Sequence, residues 1–280
     1  MALVVQEERR RILCYATANL LADEADQMVW RFADYWKKQT GHYPARLLFD
    51  SRATTYQGLN ELEQREVGFI TIRRRGGAMI RRARRLLSSQ GSRCHQVKQS
   101  KGKRRNVRFV DETIQLEGYE KPLRQLIVDG LGHESPTFLL TNDRPEPLTA
   151  RQTLETYASR NHIENSLGEQ ITFIHLDCLS SDVRLNVDFD LMLTVVADLC
   201  YRRLAERLKG FTRTSPAKLH RKFVDASGAI VVGSDEIVVR LTKRAHNPVL
   251  KEAAFDQPSQ PIPWLEGRRI RFEFPGKVDT

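Results

Sequence analysis

The chain predicts an α/β fold with a mixed sheet and helices, interrupted by a β-rich insertion. Three observations carry that expectation. Short apolar runs alternate with amphipathic helical periods over the first 76 residues. A basic tract then leads into three strand-like segments, and a long helical stretch follows.

The elements follow in order. Arg11 to Ala16 reads as a strand. Ala22 to Lys38 reads as an amphipathic helix, with Ala25, Val29, Phe32, Ala33 and Trp36 at helical spacing. Gly41 stops it and Pro44 follows. Arg46 to Phe49 is a short buried strand ending at Asp50. Thr54 to Val67 is a second helix with Leu59 and Leu62 inward, and Phe69 to Ile72 another strand. Met79 to Leu87 is helical inside the basic tract; Val107 to Leu116, Leu123 to Asp129 and Pro136 to Thr141 are strand-like. The segment from Asn142 to Pro147 is turn-rich and predicts a hinge. Thr149 is placed to N-cap the next helix. A long apolar helix is expected from about Asp190 to Leu208, then a small helix from Ser215. Ile230 to Val232 and Ile237 to Leu241 form a hairpin, Pro258 to Pro263 a linker, and Arg268 to Phe274 a last strand. The organisation expected is therefore a first α/β part (1–76), a basic β-rich insertion (77–147), a helical remainder (148–211) and a small α+β extension (212–280).

Composition narrows the function classes. At 280 residues the chain can bury a sizeable core. No apolar run is long enough for a membrane span, and the N-terminal charge order is wrong for a secretory signal. Four scattered cysteines without a Cys-x-x-Cys pair argue for a reducing, cytoplasmic setting and against zinc. The net charge of +10 favours a polyanionic partner. From Arg73 to Arg108 there are 14 lysines and arginines and no acid, which is more than the whole surplus. Such a block is either a solvated face or a phosphate-contacting surface. The members singled out are Arg73, Arg74, Arg75, Arg81, Arg82, Arg84, Arg85, Lys101, Lys103, Arg104 and Arg105.

Two acids stand out. Asp50 ends an apolar strand, where α/β folds place functional groups, although a turn cap gives the same pattern. Glu164 follows Tyr157 and Arg160 at offsets of seven and four, which puts the three on one face of a continuous helix. An acid beside a guanidinium and a phenol suits a metal ligand next to a phosphate backbone; Arg160 and Glu164 alone also read as a simple surface ion pair. The glycine pairs Gly76-Gly77 and Gly130-Leu131-Gly132 lack a phosphate-loop lysine and read as turns.

The segment from Phe49 through Leu59 (Phe-Asp-Ser-Arg-Ala-Thr-Thr-Tyr-Gln-Gly-Leu), with Gly68 to Gly76, resembles the second-aspartate region of DDE transposases of bacterial insertion sequences. Tyr157-x2-Arg160-x3-Glu164 resembles the Tyr-Arg-Glu signature around the third acid of that family. The resemblance runs over nearly the whole chain and extends to Ser166 to Gln170 and Leu179 to Arg184. It implies an RNase H-like catalytic domain whose carboxylates hold two Mg²⁺ or Mn²⁺ ions. By position, Asp50 is the second acid and Glu164 the third; Tyr157 and Arg160 contact DNA backbone. The implied partners are double-stranded DNA and a second copy of the chain, with no membrane.

Two departures from the family pattern matter. The signature usually ends in a lysine seven residues past the glutamate, and here that residue is Ile171. The family's first aspartate lies on a strand before the one matched by Arg11 to Ala16, so the chain is expected to be an N-terminally truncated relative with impaired cleavage. Glu7 and Glu8 are poor substitutes inside a charged cluster. The alternative is a catalytically inactive DNA-binding remnant. An RNA-binding protein finds no support, because no RRM aromatic motif or KH-type loop is present.

Overall fold

The computed structural model describes residues 2–6, 12–17, 27–89, 91–98, 104–143, 149–159, 161–176, 178, 181 and 183–275. The side chains of 98, 159, 161–166 and 184, and most of those before 27, lie outside that description. The chain divides into two compact units: 1–7 with 17–165, and 8–16 with 166–280. Two short strands, β1 (Ala2–Gln6) and β2 (Ile12–Thr17), belong to neither of the larger sheets. The strand expected from Arg11 to Ala16 therefore exists, but outside the main sheet.

The first unit is α/β. Its main sheet has six strands, β3 (Arg46–Phe49), β4 (Gly68–Ile72), β5 (Arg93–Lys98), β6 (Arg104–Ile114), β7 (Leu123–Asp129) and β8 (Thr137–Thr141), in the order β3-β4-β8-β7-β6-β5. β3 and β4 are parallel, and the other four pairings are antiparallel. A parallel pair needs a crossover, which α2 (Tyr56–Gln64) supplies. Thr55 starts α2 by accepting the Gly58 N–H at 3.1 Å. The preceding helix, α1 (Met28–Thr40), ends where predicted: Gly41 adopts φ +84, and its N–H bonds to the Lys37 carbonyl.

Helices cover both faces of this sheet. On one face α4 (Ala150–Ser159) presents Ala150, Leu154 and Tyr157 to Ile70, Leu126, Val128 and Leu139. On the other, α1 and α2 bury Val29, Leu59 and Leu62 against Phe69, Leu123 and Leu140. α3 (Gly77–Ser88) covers Ile127 and Phe138 with Ala83 and Leu87. β7 is buried at six of seven positions and β8 at all five, because apolar side chains point to both covered faces.

The strands between 77 and 147 continue the sheet that holds β3 and β4, with Ile70 opposite Thr141. The insertion expected from the sequence thus shares its sheet with the segment before it. The start of the expected hinge is wired into the fold. Asn142 accepts the Phe69 N–H at 2.8 Å and donates to Glu63 at 2.9 Å. Asp143 holds Arg46 through two bonds of 2.8 Å. Residues 144–147 of that hinge lie outside the described set. Gly130 has φ +92, and a Cβ there would meet the Asn106 carbonyl at 2.8 Å, so the glycine turn between β7 and β8 is required by geometry.

The second unit contains α6 (Arg184–Arg207), α7 (Pro216–Leu219), a π-helical turn (His220–Val224) and α8 (Asn247–Glu252). Its sheet is β9 (Gly228–Val232), β10 (Glu236–Leu241) and β11 (Arg269–Glu273), in the order β11-β10-β9. β9 and β10 form the expected antiparallel hairpin. Ala205, Leu208, Leu219, Phe223 and Leu250 make the core. No helix among the described residues is long and apolar enough to cross a membrane.

Candidate functional site

Asp50 follows the last residue of β3, the edge strand of the six-stranded sheet. Its carbonyl accepts the Ala53 N–H at 3.0 Å, so it opens a turn that runs into the Thr55 cap of α2. Ser51 Oγ donates to one carboxylate oxygen at 3.1 Å. The carboxyl is exposed. Leu48, two residues earlier, packs into the cluster that contains Leu154 and Tyr157. The strand that carries Asp50 therefore turns Leu48 to the sheet face that α4 covers.

The sequence expected one continuous helix through Glu164. The described residues on both sides of position 160 are helical, Ala150–Ser159 (α4) and Asn161–Ile174 (α5), and residue 160 itself lies outside the described residues. Thr149 and Gln152 form a reciprocal box at the start of α4: Oγ1 of Thr149 accepts the Gln152 N–H at 3.3 Å, and Oε1 of Gln152 accepts the Thr149 N–H at 2.9 Å. Tyr157 is only 9% exposed and shares its face with Ala150 and Leu154, so its ring serves the core. Glu164 lies in α5 with its side chain outside the described residues, and Arg160 lies outside them altogether.

The basic tract separates into pinned and unpinned cations. Arg73 donates to Gln125 at 2.9 Å, and Gln125 to Glu112 at 2.6 Å. Arg82 grips the same Glu112 with bonds of 2.9 and 2.6 Å. The Arg82 bond is the main cause that holds the Glu112 carboxyl below its usual range, against the upward push of burial. Arg75 donates to the Pro136 carbonyl at 2.8 Å. Arg74, Arg81, Arg84 and Arg85 are exposed and have no carboxylate partner among the described residues. The last three sit at i, i+3 and i+4 on α3, opposite the buried Ala83 and Leu87. Lys101 and Lys103 lie outside the described residues.

A polar cleft that the sequence did not reveal opens between β5, β6 and α4. It is lined by Cys94, His95 and Gln96, by Arg104 and Asn106, and by Arg151 and Glu155. Glu155 meets His95 at 3.1 Å and Arg151 at 3.2 Å. Burial pushes the Glu155 carboxyl up, but those two bonds together hold it below the usual carboxylate value. Arg104 of the basic tract thus joins Arg151 from a helix 47 positions away in sequence. Arg105 lies against the Gly130–Gly132 turn instead, its Nη1 2.5 Å from where a Gly132 Cβ would stand. Compared with known protein families and with curated proteins, the chain finds no match.

Proposed function

We propose that the chain is a transposase-type protein of the RNase H-like kind, acting on double-stranded DNA by metal-dependent strand cleavage and strand transfer. The observation that carries this reading is the placement of Asp50. It is an exposed carboxylate at the C-terminal end of a parallel strand whose Leu48 joins the apolar cluster that also seats the helix leading toward Glu164. Asp50 offers hard oxygen donors of the type Mg²⁺ or Mn²⁺ takes, and Glu164 is the second ligand by resemblance. When bound, such ions supply Lewis-acid activation at the attacking and leaving oxygens. Arg81, Arg84 and Arg85 hold the duplex backbone, since exposed guanidiniums without carboxylate partners favour phosphate.

Binding without cleavage is the second reading. The arginine face of α3 favours it, because that face is complete without either acid. Nicking of supercoiled plasmid with Mg²⁺ or Mn²⁺, beside an Asp50→Ala/Glu164→Ala variant, separates the two. Cleavage that disappears in the variant while DNA binding persists is the expected result. Equal cleavage by both proteins overturns the site assignment. Binding without cleavage by either leaves the DNA-binding remnant.

A further inference from the structure

The second unit carries a cluster of cations without matching acids. Arg221 and Lys222 lie in the π-helical turn, and Lys218 lies just before it in α7. Turns of π-helix interrupt regular bonding and occur frequently at functional positions. The loop after β10 adds Lys243, Arg244 and His246. Arg244 ties the two segments together: it donates to the Asp225 carbonyl and, at 2.7 Å, to the Arg221 carbonyl.

Lys222 is held by neutral groups. Its Nζ lies 2.8 Å from Nε2 of His246, and an ammonium can only donate there, so that nitrogen is unprotonated. Burial first, then Lys222 and Arg244, hold the His246 imidazole below its ordinary pKa. The floor is aromatic: Phe223 lies tilted against His246 with ring centres 5.5 Å apart, Phe211 meets Phe223 edge-on at 4.9 Å, and Lys222 lies 5.6 Å from the Phe211 ring centre.

Among the described residues, none of Lys218, Arg221, Lys222, Lys243 and Arg244 is paired with a carboxylate. Asp225 is the single acid between Gly210 and Asp235. Elsewhere in the same unit cations are matched: Arg202 with Glu169, Lys209 with Glu252, Arg240 with Glu273 and Arg271 with Glu236. Like charges held together without a counterion repel, and an external polyanion relieves that cost.

We propose that this face, built by Lys218, Arg221, Lys222, Lys243 and Arg244, is a second docking surface for the phosphate backbone of duplex DNA. It rests on the nucleic-acid reading above for its partner, and not on cleavage. Every donor is a cation, so the surface positions a backbone and reads no base. Two cationic surfaces on one chain, this one and the α3 arginines, fit a partner that presents many phosphates along its length.

The test is binding of the full chain to a random-sequence duplex across a salt series, with Arg221→Ala/Lys243→Ala as the variant. Both side chains are exposed and neither has a hydrogen-bond partner among the described residues, so the variant is expected to fold as the parent does. The expected result is a roughly tenfold weaker Kd at moderate salt and a salt slope smaller by about two. Arg221→Lys/Lys243→Arg restores both. Unchanged affinity and slope in a variant with the parent's circular dichroism melt overturn the proposal. So does a variant that loses binding to phosphatidylserine vesicles while its duplex affinity is kept, which assigns the face to lipid. Nicking plays no part in either readout, so failure of the Asp50 and Glu164 assignment remains a separate result.

Discussion

β8 and β9 are both five-residue apolar strands, and the molecule treats them in opposite ways. Thr137–Thr141 is buried at every position, while Gly228–Val232 is exposed at every position. β8 runs between β4 and β7 and has helices over both faces. β9 is the edge of a three-stranded sheet and, among the described residues, pairs with β10 alone. Local composition does not separate Thr-Phe-Leu-Leu-Thr from Gly-Ala-Ile-Val-Val. Position in the strand order, and the helices that cover it, decide which one becomes core.

The largest effect should come from the buried strand. Leu139 is fully buried in the cluster that seats α4 on the sheet. Leu139→Ala is expected to cost about 2–5 kcal/mol, the range for a deleted core leucine. Urea melts measure it; a loss below about 1 kcal/mol would mean that the α4 layer is loosely seated and the contrast with β9 is false.

A smaller effect lies on the same sheet, where its charged contacts reach the surface. The Arg82 bond depresses the Glu112 carboxyl, so its folded pKa lies under the unfolded value near 4.3. A depressed acid contributes stability above the unfolded pKa and loses it as pH falls through the folded one. Glu112→Gln should therefore match the parent in strong acid and fall behind it as pH rises past the carboxylate range. The gap should be about 1 kcal/mol or less, because Arg82 is half exposed. Parallel stability curves across that range would show that the pair contributes nothing.

What was legible in the sequence was local. β7 was expected from Leu123 to Asp129 and occupies those residues, because an apolar run bounded by turns leaves little alternative. The β9–β10 hairpin and the Thr149 cap were readable for the same reason. β5 is not legible in the sequence: in Arg-Cys-His-Gln-Val-Lys only Val97 is strongly apolar, and its pairing with β6 supplies the rest. α8 is not legible either, because its single turn and a half carries a proline and few periodic positions. The candidate site was readable in part. Asp50 was found at a strand end, as its apolar run implied. The division of the arginines depends on Glu112, Gln125 and Pro136, which lie 30 or more residues away from them and meet them only in the folded sheet. Tyr157 joins the core because its face is the one that carries Leu154, a fact the heptad spacing to Glu164 does not contain.

The smallest expected stability effect tests the other side of the comparison. Ile230 is 69% exposed and Val232 62%, and the two alternate onto one face of β9. Neither fills a core, so Ile230→Lys/Val232→Lys should shift stability by no more than about 0.5 kcal/mol. The solution behaviour should change more. A neutral apolar edge strand is a template for pairing with other chains, and lysines placed on it block that pairing by charge and desolvation. Light scattering at rising protein concentration should then show less association for the variant than for the parent. A loss of several kcal/mol instead would mean that β9 is covered in solution, and that its exposed side chains belong to an interface.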